Sequence, residues 1–195
     1  MSLDGLLLAA GAGTRMGRPK ALVVGDDGVP WLHSTVATLQ SGGCRRLTVV
    51  LGASAEEAAV LLAAAPMPHE DVHVVVAHEW AEGMGASLRT GLAAADPHAD
   101  AVLVTLVDLP DVTSEVLRRV AASATGPAAL ARATYDGRPG HPVLIGRDHW
   151  EGVRQSATGD RGARDYLADH GAIEVECGDL ASGRDVDTPT RTSGA

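Results

Sequence analysis

The sequence predicts an α/β fold: a three-layer sandwich in which helices cover both faces of a doubly wound, mostly parallel sheet. Short apolar runs alternate along the chain with segments of helical periodicity, which is typical of repeated βαβ units. With three Trp, two Tyr and no Phe, the core must be built from Ala, Val and Leu, as in sheets covered on both faces. The chain has 195 residues, which suits a single domain over 1–195.

The parallel part of the sheet is expected in the first two thirds of the chain. Strands predicted from apolar runs are 6–10, 46–52, 72–77 and 101–110. Helices predicted between and after them are 31–40, 55–65, 88–95 and 113–124. Ser54 and Glu57 have the spacing of a capping box for the second of these helices, which should stop before Pro66.

The alternation of apolar runs with helical segments changes after Gly126. Residues 128–146 read as two strands around a turn rich in Gly and Pro, which predicts a small antiparallel excursion from the parallel sheet. A short helix at 162–170 and a strand at 172–178 follow. We expect the polar tail, 181–195, to be partly frayed.

Composition limits the classes of partner. The formal net charge of −9 argues against binding nucleic acid, which needs many cationic contacts to phosphates. No apolar run approaches the roughly 20 residues that span a bilayer, and the first residues lack the basic region of a signal peptide. Cys44 and Cys177 lie far apart without metal-ligand spacing, so we expect thiols in a reducing cytoplasm and no membrane partner.

A glycine-rich loop follows the first strand. Gly11, Gly13 and Gly17 allow backbone amides to approach an anion closely, but their spacing is one residue longer than the dinucleotide fingerprint. The acid that would hold a ribose about 20 residues later is missing, and so is the end of a Walker loop. Arg15 and Lys20 supply the side-chain cations that a triphosphate under substitution needs. The alternative is that both are solvated loop charges.

The loop "LAAGAGTRMGRPK" resembles the signature of the small nucleotidyltransferases that build the molybdenum cofactor dinucleotide, above all the molybdenum cofactor cytidylyltransferases. The resemblance implies a Rossmann-like nucleotidyltransferase fold and extends in order over nearly the whole chain. The segments that carry it further are "GMGASLRTGL" (83–92), "LVDLP" (106–110), "GRPGHPVLIG" (137–146), "TGDRGAR" (158–164) and "DVDTP" (185–189).

The resemblance implies which residues hold the nucleotide. Relatives that transfer guanylyl groups usually have A-G-G where this chain has A-A-G, so Ala10 favours CTP. Ser87 would hydrogen-bond the nucleotide, although capping of the following helix would explain it equally well. The nucleotide-binding residues predicted in this way are Leu8, Ala9, Ala10, Gly11, Gly13, Gly83 and Ser87.

A magnesium site is expected where the fourth strand ends. Asp108 lies at the carboxyl end of a buried apolar run, where open α/β sheets bind their ligands. Mg²⁺ prefers one or two carboxylates together with phosphate oxygens, and the resemblance makes Asp108 the metal ligand. Asp185 and Asp187 alternate as in a strand, which predicts that they point in opposite directions; we favour Asp187 as the second ligand.

The acceptor pocket is implied by the later motifs. Its predicted residues are Gly140, His141, Pro142, Arg161 and Arg164. The two arginines would contact an acceptor phosphate, or would instead form salt bridges with Asp160 and Asp165.

The resulting hypothesis is a Mg²⁺-dependent transfer of CMP from CTP to a phosphorylated acceptor such as the molybdopterin cofactor, with release of pyrophosphate. Arg15, Lys20 and Asp108 are the expected catalytic residues. One alternative is an NAD(P)H-dependent oxidoreductase, because a branch of nicotine blue reductases resembles this family. Another is a carrier that hands the molybdenum cofactor to an apo-enzyme without catalysis.

Overall fold

The structure, a computed structural model, describes residues 1–65 and 71–187. Its strands are β1 (Leu3–Ala9), β2 (Leu47–Leu51), β3 (Val72–Val76), β4 (Ala101–Leu106), β5 (Leu130–Tyr135), β6 (Arg138–Gly146) and β7 (Ile173–Glu176). Its α-helices are α1 (Trp31–Ser41), α2 (Ala55–Ala63), α3 (Met84–Ala94), α4 (Ser114–Ala122), α5 (Arg147–Ser156) and α6 (Arg164–Asp169). Short 3₁₀ turns lie at Lys20–Leu22, Trp80–Glu82 and Gly159–Arg161.

The described strands form a single mixed sheet in the order β3-β2-β1-β4-β6-β5-β7. β1 pairs in parallel with β2 and β4, and β2 pairs in parallel with β3. β6 is antiparallel to β4 and to β5, while β7 is parallel to β5. Among the described strands only β6 therefore runs against the others, which confirms the mostly parallel sheet and its antiparallel excursion.

Helices cover both faces of this sheet. Alternate residues of β1 point to opposite sides, so Leu7 belongs to a core that contains Leu32 of α1 and Leu117 of α4. Leu6 belongs to the other core, which contains Leu92 of α3 and Val153 of α5. The three-layer, doubly wound arrangement is thus confirmed. Its topological switch point lies between β1 and β4, and the loops that carry the predicted site leave the carboxyl ends of these two strands.

Several element boundaries differ from the sequence prediction. β1 begins at Leu3, since Leu3 already pairs with Ala101 of β4. β4 ends at Leu106, which places Asp108 in the turn after the strand. α3 begins at Met84, four residues earlier than expected, because the small residues before Leu88 form its first turn.

Two other predictions about helices were incomplete or wrong. Ser54 has a left-handed backbone with φ of 54° and makes no capping bond, because the chain enters α2 through a turn in which Ala55 N–H donates to the Gly52 carbonyl. α2 ends at Ala63, and Pro66 lies outside the described residues. No element was expected for α5, whose buried residues are only Trp150 and Val153; two apolar positions give too weak a periodicity.

The described part of the expected tail, 181–187, is held against the body of the molecule. Ser182 N–H donates to Asp111 Oδ2 at 2.7 Å, and Val186 N–H donates to the Asp108 carbonyl at 3.0 Å. The rest of that segment lies outside the described residues. Cys44 and Cys177 are buried free thiols. None of the helices within 1–65 and 71–187 has the length and apolarity needed to cross a membrane.

Candidate active site

The glycine-rich loop folds back on itself after β1. Gly13 has φ of +57°, and a Cβ at this position would lie 2.0 Å from the Arg18 carbonyl oxygen, so only glycine fits. Met16 N–H donates to the Gly13 carbonyl at 2.8 Å and Lys20 N–H to the Gly11 carbonyl at 3.4 Å. These contacts turn the chain so that the Lys20 side chain reaches the end of β4.

Three carboxylates meet beside β4. Val186 N–H binds the Asp108 carbonyl, so the segment that carries Asp185 and Asp187 runs next to Asp108. One ligand oxygen from each of the three carboxylates lies within 4.8 Å of the others. Asp185 and Asp187 were expected to point apart as in a strand, but this segment has no regular secondary structure and both approach Asp108. A cluster of carboxylate oxygens is the donor set that hard divalent cations prefer, so these residues fit such an ion.

Lys20 lies within this cluster. Its Nζ donates to Asp108 Oδ2 and, at 2.7 Å, to Asp187 Oδ1. Burial alone would lower the pKa of Lys20, but the hydrogen bonds to Asp108 and Asp187 outweigh it and raise the pKa above its ordinary value. The hydrogen bond from Lys20 lowers the pKa of Asp187. Lys20 is therefore a firmly protonated cation, at 18% exposure of its side chain.

Arg15 contributes a second cation. Its Nη1 lies 2.6 Å from Asp187 Oδ2, on a side chain that is 74% exposed. Ion pairs this exposed contribute little to stability, so the arginine is free to exchange its partner for an anionic ligand. Arg15 and Lys20 thus approach Asp187 from two sides.

A cavity of about 550 Å³ opens over these charges, within the usual range for small-molecule sites. The end of β1 and the glycine loop line it, together with Trp80, Met84 and Asp160. All the predicted nucleotide-binding residues line it, namely Leu8, Ala9, Ala10, Gly11, Gly13, Gly83 and Ser87. Arg15, Lys20, Asp108 and Asp187 line it as well, together with Asp185.

The start of α3, which also lines the cavity, depends on close backbone packing. Gly83 is the N-cap of α3, so Ser87 lies within the first turn of the helix and does not cap it. Gly83 has φ of +113°, and a Cβ there would lie 2.6 Å from Asp160 Oδ1. Gly83 therefore lets the turn that carries Asp160 pack directly against the start of α3.

A second, smaller cavity of about 160 Å³ adjoins the first. Leu8, Met84 and Asp160 line both cavities. Of the predicted acceptor residues, those that line the second cavity are Gly140, His141, Arg161 and Arg164. Pro142 is buried next to them without lining the cavity.

The polar groups of the second cavity differ in their partners. Arg161 Nη1 pairs with Asp165 Oδ2 at 3.0 Å and its side chain is 71% exposed. Tyr135 O–H donates to the His141 carbonyl at 2.6 Å, and burial lowers the pKa of His141 to about 4, so the imidazole is neutral near pH 7.

Arg132, which was not predicted from the sequence, also lines this cavity from β5. The sequence pattern contained an indication of this position, because alternation along the strand puts Arg132 on the same face as the core residue Leu130.

The comparisons with known proteins show a family for this chain. Residues 5–174 match the family model of the MobA-like NTP transferase domain. The nicotine blue oxidoreductase of Paenarthrobacter nicotinovorans is 37% identical over 196 residues, covering 95% of this chain and 92% of the relative. The bifunctional protein GlmU of Azotobacter vinelandii is 36% identical over 140 residues, and the match covers 70% of this chain and 28% of that protein.

Solved structures show the same architecture. Rv0371c of Mycobacterium tuberculosis has a TM-score of 0.77 and 29% identity, covering 96% of this chain and 94% of that one. A structure of Rv0371c in complex with manganese has a TM-score of 0.72 and 27% identity, covering 91% and 89%. A nucleotidyl transferase of Methanothermobacter, at 25% identity, has a TM-score of 0.72 and covers 91% and 88%.

Proposed function

Because this chain belongs to the family of the MobA-like NTP transferase domain, we propose that it transfers CMP from CTP to a phosphorylated acceptor such as the molybdopterin cofactor. The observation that carries the proposal is the meeting of Lys20 and three carboxylates in one cavity at the switch point of the sheet. Cations and metal-binding carboxylates at one place suit a metal-bound triphosphate.

In the proposed reaction an oxygen of the acceptor phosphate attacks the α-phosphorus of CTP. The bond from this phosphorus to the oxygen that bridges it to the β-phosphorus breaks, and pyrophosphate leaves with that oxygen. The acceptor phosphate is ionised at neutral pH, so no side chain has to remove a proton. Catalysis then consists of positioning and of neutralising charge.

Each charged group has a role in this scheme. Arg15, which is exposed at the mouth of the cavity, binds the β- and γ-phosphates. Lys20 leaves the carboxylates and stabilises the negative charge that develops at the α-phosphate. Asp108 and Asp187 would hold Mg²⁺, with Asp185 close enough to join them. When bound, the ion would supply charge neutralisation to the triphosphate.

The base and the acceptor occupy different cavities in this proposal. Ala10, Gly83 and Ser87 face the base and ribose in the first cavity, and the A-A-G sequence at the loop favours cytosine. The acceptor enters through the second cavity, beside Gly140 and His141. The two cavities meet along a shared wall, which allows an acceptor phosphate to reach the α-phosphorus.

The direct test is release of pyrophosphate from CTP, GTP, ATP and UTP with Mg²⁺ in the presence of reduced molybdopterin cofactor. We expect release with CTP, and thermal stabilisation by CTP with Mg²⁺ of roughly 2.7 kcal/mol at 100 times its dissociation constant. Release with another nucleotide would correct the base assignment. Binding of the cofactor without release from any nucleotide would contradict the transferase and favour a carrier.

A second candidate is an NAD(P)H-dependent oxidoreductase, which is favoured by 37% identity to the nicotine blue oxidoreductase over nearly the whole chain. Oxidation of NADPH or NADH can be followed spectroscopically with a quinoid dye as electron acceptor. A transferase should be inert in this assay. Turnover that survives Asp108→Ala would favour the oxidoreductase, because hydride transfer does not need a metal-binding carboxylate.

A further inference from the structure

The second cavity combines apolar walls with one largely buried cation. Its walls include the aliphatic side chains of Leu88, Val104, Val143, Ile145 and Leu167. Three arginines line it, but Arg161 is 71% exposed and already paired with Asp165, and Arg164 is also exposed. The Arg132 side chain is only 14% exposed. A cation in such low-dielectric surroundings attracts an anion more strongly than one in water does.

Arg132 has few partners of its own. Its Nη2 donates to Glu174 Oε1 at 2.5 Å, across the pairing of β5 with β7. Glu174 is 53% exposed, so this pair reaches from the cavity wall toward solvent. The buried Nε of Arg132 has no hydrogen-bond partner among the described residues. Buried polar groups are nearly always hydrogen-bonded, and a guanidinium offers five N–H donors in a planar fork.

The other titratable groups of the cavity are less suited than Arg132 to bind an anion. The imidazole of His141 is neutral near pH 7, because burial lowers its pKa. Asp160 carries the opposite charge and stands where the two cavities meet. Arg132 is therefore the cation that an anionic group would find inside the apolar part of the cavity.

We propose that Arg132 is the specificity-determining residue of the second cavity and binds an anionic group of the acceptor. The acceptors selected in this way join a phosphate or a carboxylate to an apolar or planar group small enough for a cavity of about 160 Å³. The planar guanidinium matches both anions by paired hydrogen bonds. The inference rests on the proposed function, because it takes this cavity to be the acceptor site.

The test measures binding of three small probes of similar shape: phenyl phosphate, benzoate and benzyl alcohol. The first cavity is filled beforehand with Mg²⁺ and a CTP analogue that cannot be cleaved between its α- and β-phosphates. Calorimetric titration of the wild type should give at least tenfold tighter binding of an anionic probe than of the alcohol, and the two anions show whether phosphate or carboxylate is preferred. Arg132→Met should abolish the preference, and Arg132→Lys should keep part of it.

Two control variants separate binding from a structural role. Glu174→Gln removes the ion pair but leaves the cation, so the probes should bind as tightly as to the wild type or more tightly. Arg154→Met removes a surface arginine of α5 that does not line the second cavity, and should change the binding of phenyl phosphate less than twofold. Unchanged probe binding in Arg132→Met, or weakened binding in Glu174→Gln, would overturn the proposal.

If Arg132→Met does not fold, Arg132→Lys and Glu174→Gln still distinguish anion binding by Arg132 from a purely structural role. Full anion preference in Arg132→Lys together with weakened binding in Glu174→Gln would assign Arg132 to the stability of the sheet edge. Binding of the CTP analogue is read separately by thermal shift. A wild type that binds the anionic probes but not the analogue counts against the proposed function, while loss of anion preference with the analogue bound counts against Arg132 alone.

Discussion

The two adjoining cavities differ in how their charges are held. In the first cavity the cations and carboxylates bind each other: Lys20 donates to Asp108 and Asp187, and Arg15 reaches the other oxygen of Asp187. In the second cavity the buried Arg132 pairs with Glu174 at the sheet edge. A ligand of the first cavity must therefore rearrange existing ion pairs, whereas a ligand of the second can add its charge to a guanidinium with unused donors.

The largest expected effect is a loss of turnover when a charged side chain of the first cavity is removed. Lys20→Ala and Asp108→Ala should each lower nucleotidyl transfer by about 10²- to 10³-fold while the protein stays folded, as removal of one charge-stabilising group does in enzymes. Turnover is measured by pyrophosphate release, and folding by circular dichroism. Arg18→Ala is the matched control, since this exposed loop cation does not line the first cavity. Near-normal turnover of Lys20→Ala or Asp108→Ala would contradict the role assigned to that residue.

A smaller effect tests whether the existing ion pairs compete with a metal. Lys20→Met should bind Mn²⁺ about tenfold more tightly than the wild type without nucleotide, since two charges about 4 Å apart interact by roughly 1 kcal/mol in bulk water and roughly 4 kcal/mol near a protein surface. Titration calorimetry gives the affinity. Arg15→Met should have less effect, because Arg15 is 74% exposed. Equal affinities of wild type and Lys20→Met would show that Lys20 does not compete.

The smallest effect concerns the turn between β5 and β6, the two strands that carry Arg132 and His141 of the second cavity. Hydrogen bonds from Gly178 N–H, Gly137 N–H and the Thr134 hydroxyl lower the pKa of Glu176 at the end of β7 to about 2. A carboxyl whose pKa is lowered by folding stabilises the protein above its unfolded pKa, near 4.5, and loses this contribution as the pH falls toward 2.

Glu176→Gln should therefore melt at a lower temperature than the wild type at pH 7. The difference should shrink steadily between pH 4.5 and pH 2, where the wild-type carboxyl is about half protonated. Thermal melting followed by circular dichroism at several pH values measures it. A difference that stays constant over this range would show that the hydrogen bonds do not act through the ionised carboxylate.

The first cavity could be located from the sequence because its parts follow strands. The glycine loop and Asp108 come after apolar runs that are parallel neighbours, β1 and β4, so their proximity follows from the fold class. The convergence of Asp185 and Asp187 could not be predicted, since it depends on an irregular segment held by hydrogen bonds of Ser182 and Val186 and by the ion pairs of Asp187. The pairing of Lys20 with the carboxylates likewise depends on how the loop closes.

The residues of the second cavity were harder to predict, because they come together only through tertiary packing. Its motifs pointed to Arg161 and Arg164, which local charge patterns make conspicuous but which are exposed. Strand alternation places Arg132 on the face of Leu130, but a charged residue in a strand is ordinarily expected at the solvent side, so Arg132 was overlooked. The cavity that Arg132 lines is closed in part by Arg164 and Leu167 of α6, far along the chain, so its place in the cavity depends on tertiary packing.

The hydrogen bond between Val186 and Asp108 has a consequence for biosynthesis. Asp185 and Asp187 come after all seven described strands in the chain, so the ribosome has made each of these strands before it makes two of the three clustered carboxylates. A nascent chain that stops before residue 185 would contain all seven described strands and would lack two of these carboxylates. Premature termination near the end of the chain would therefore remove most of the acidic cluster while leaving the sequence of the described sheet complete.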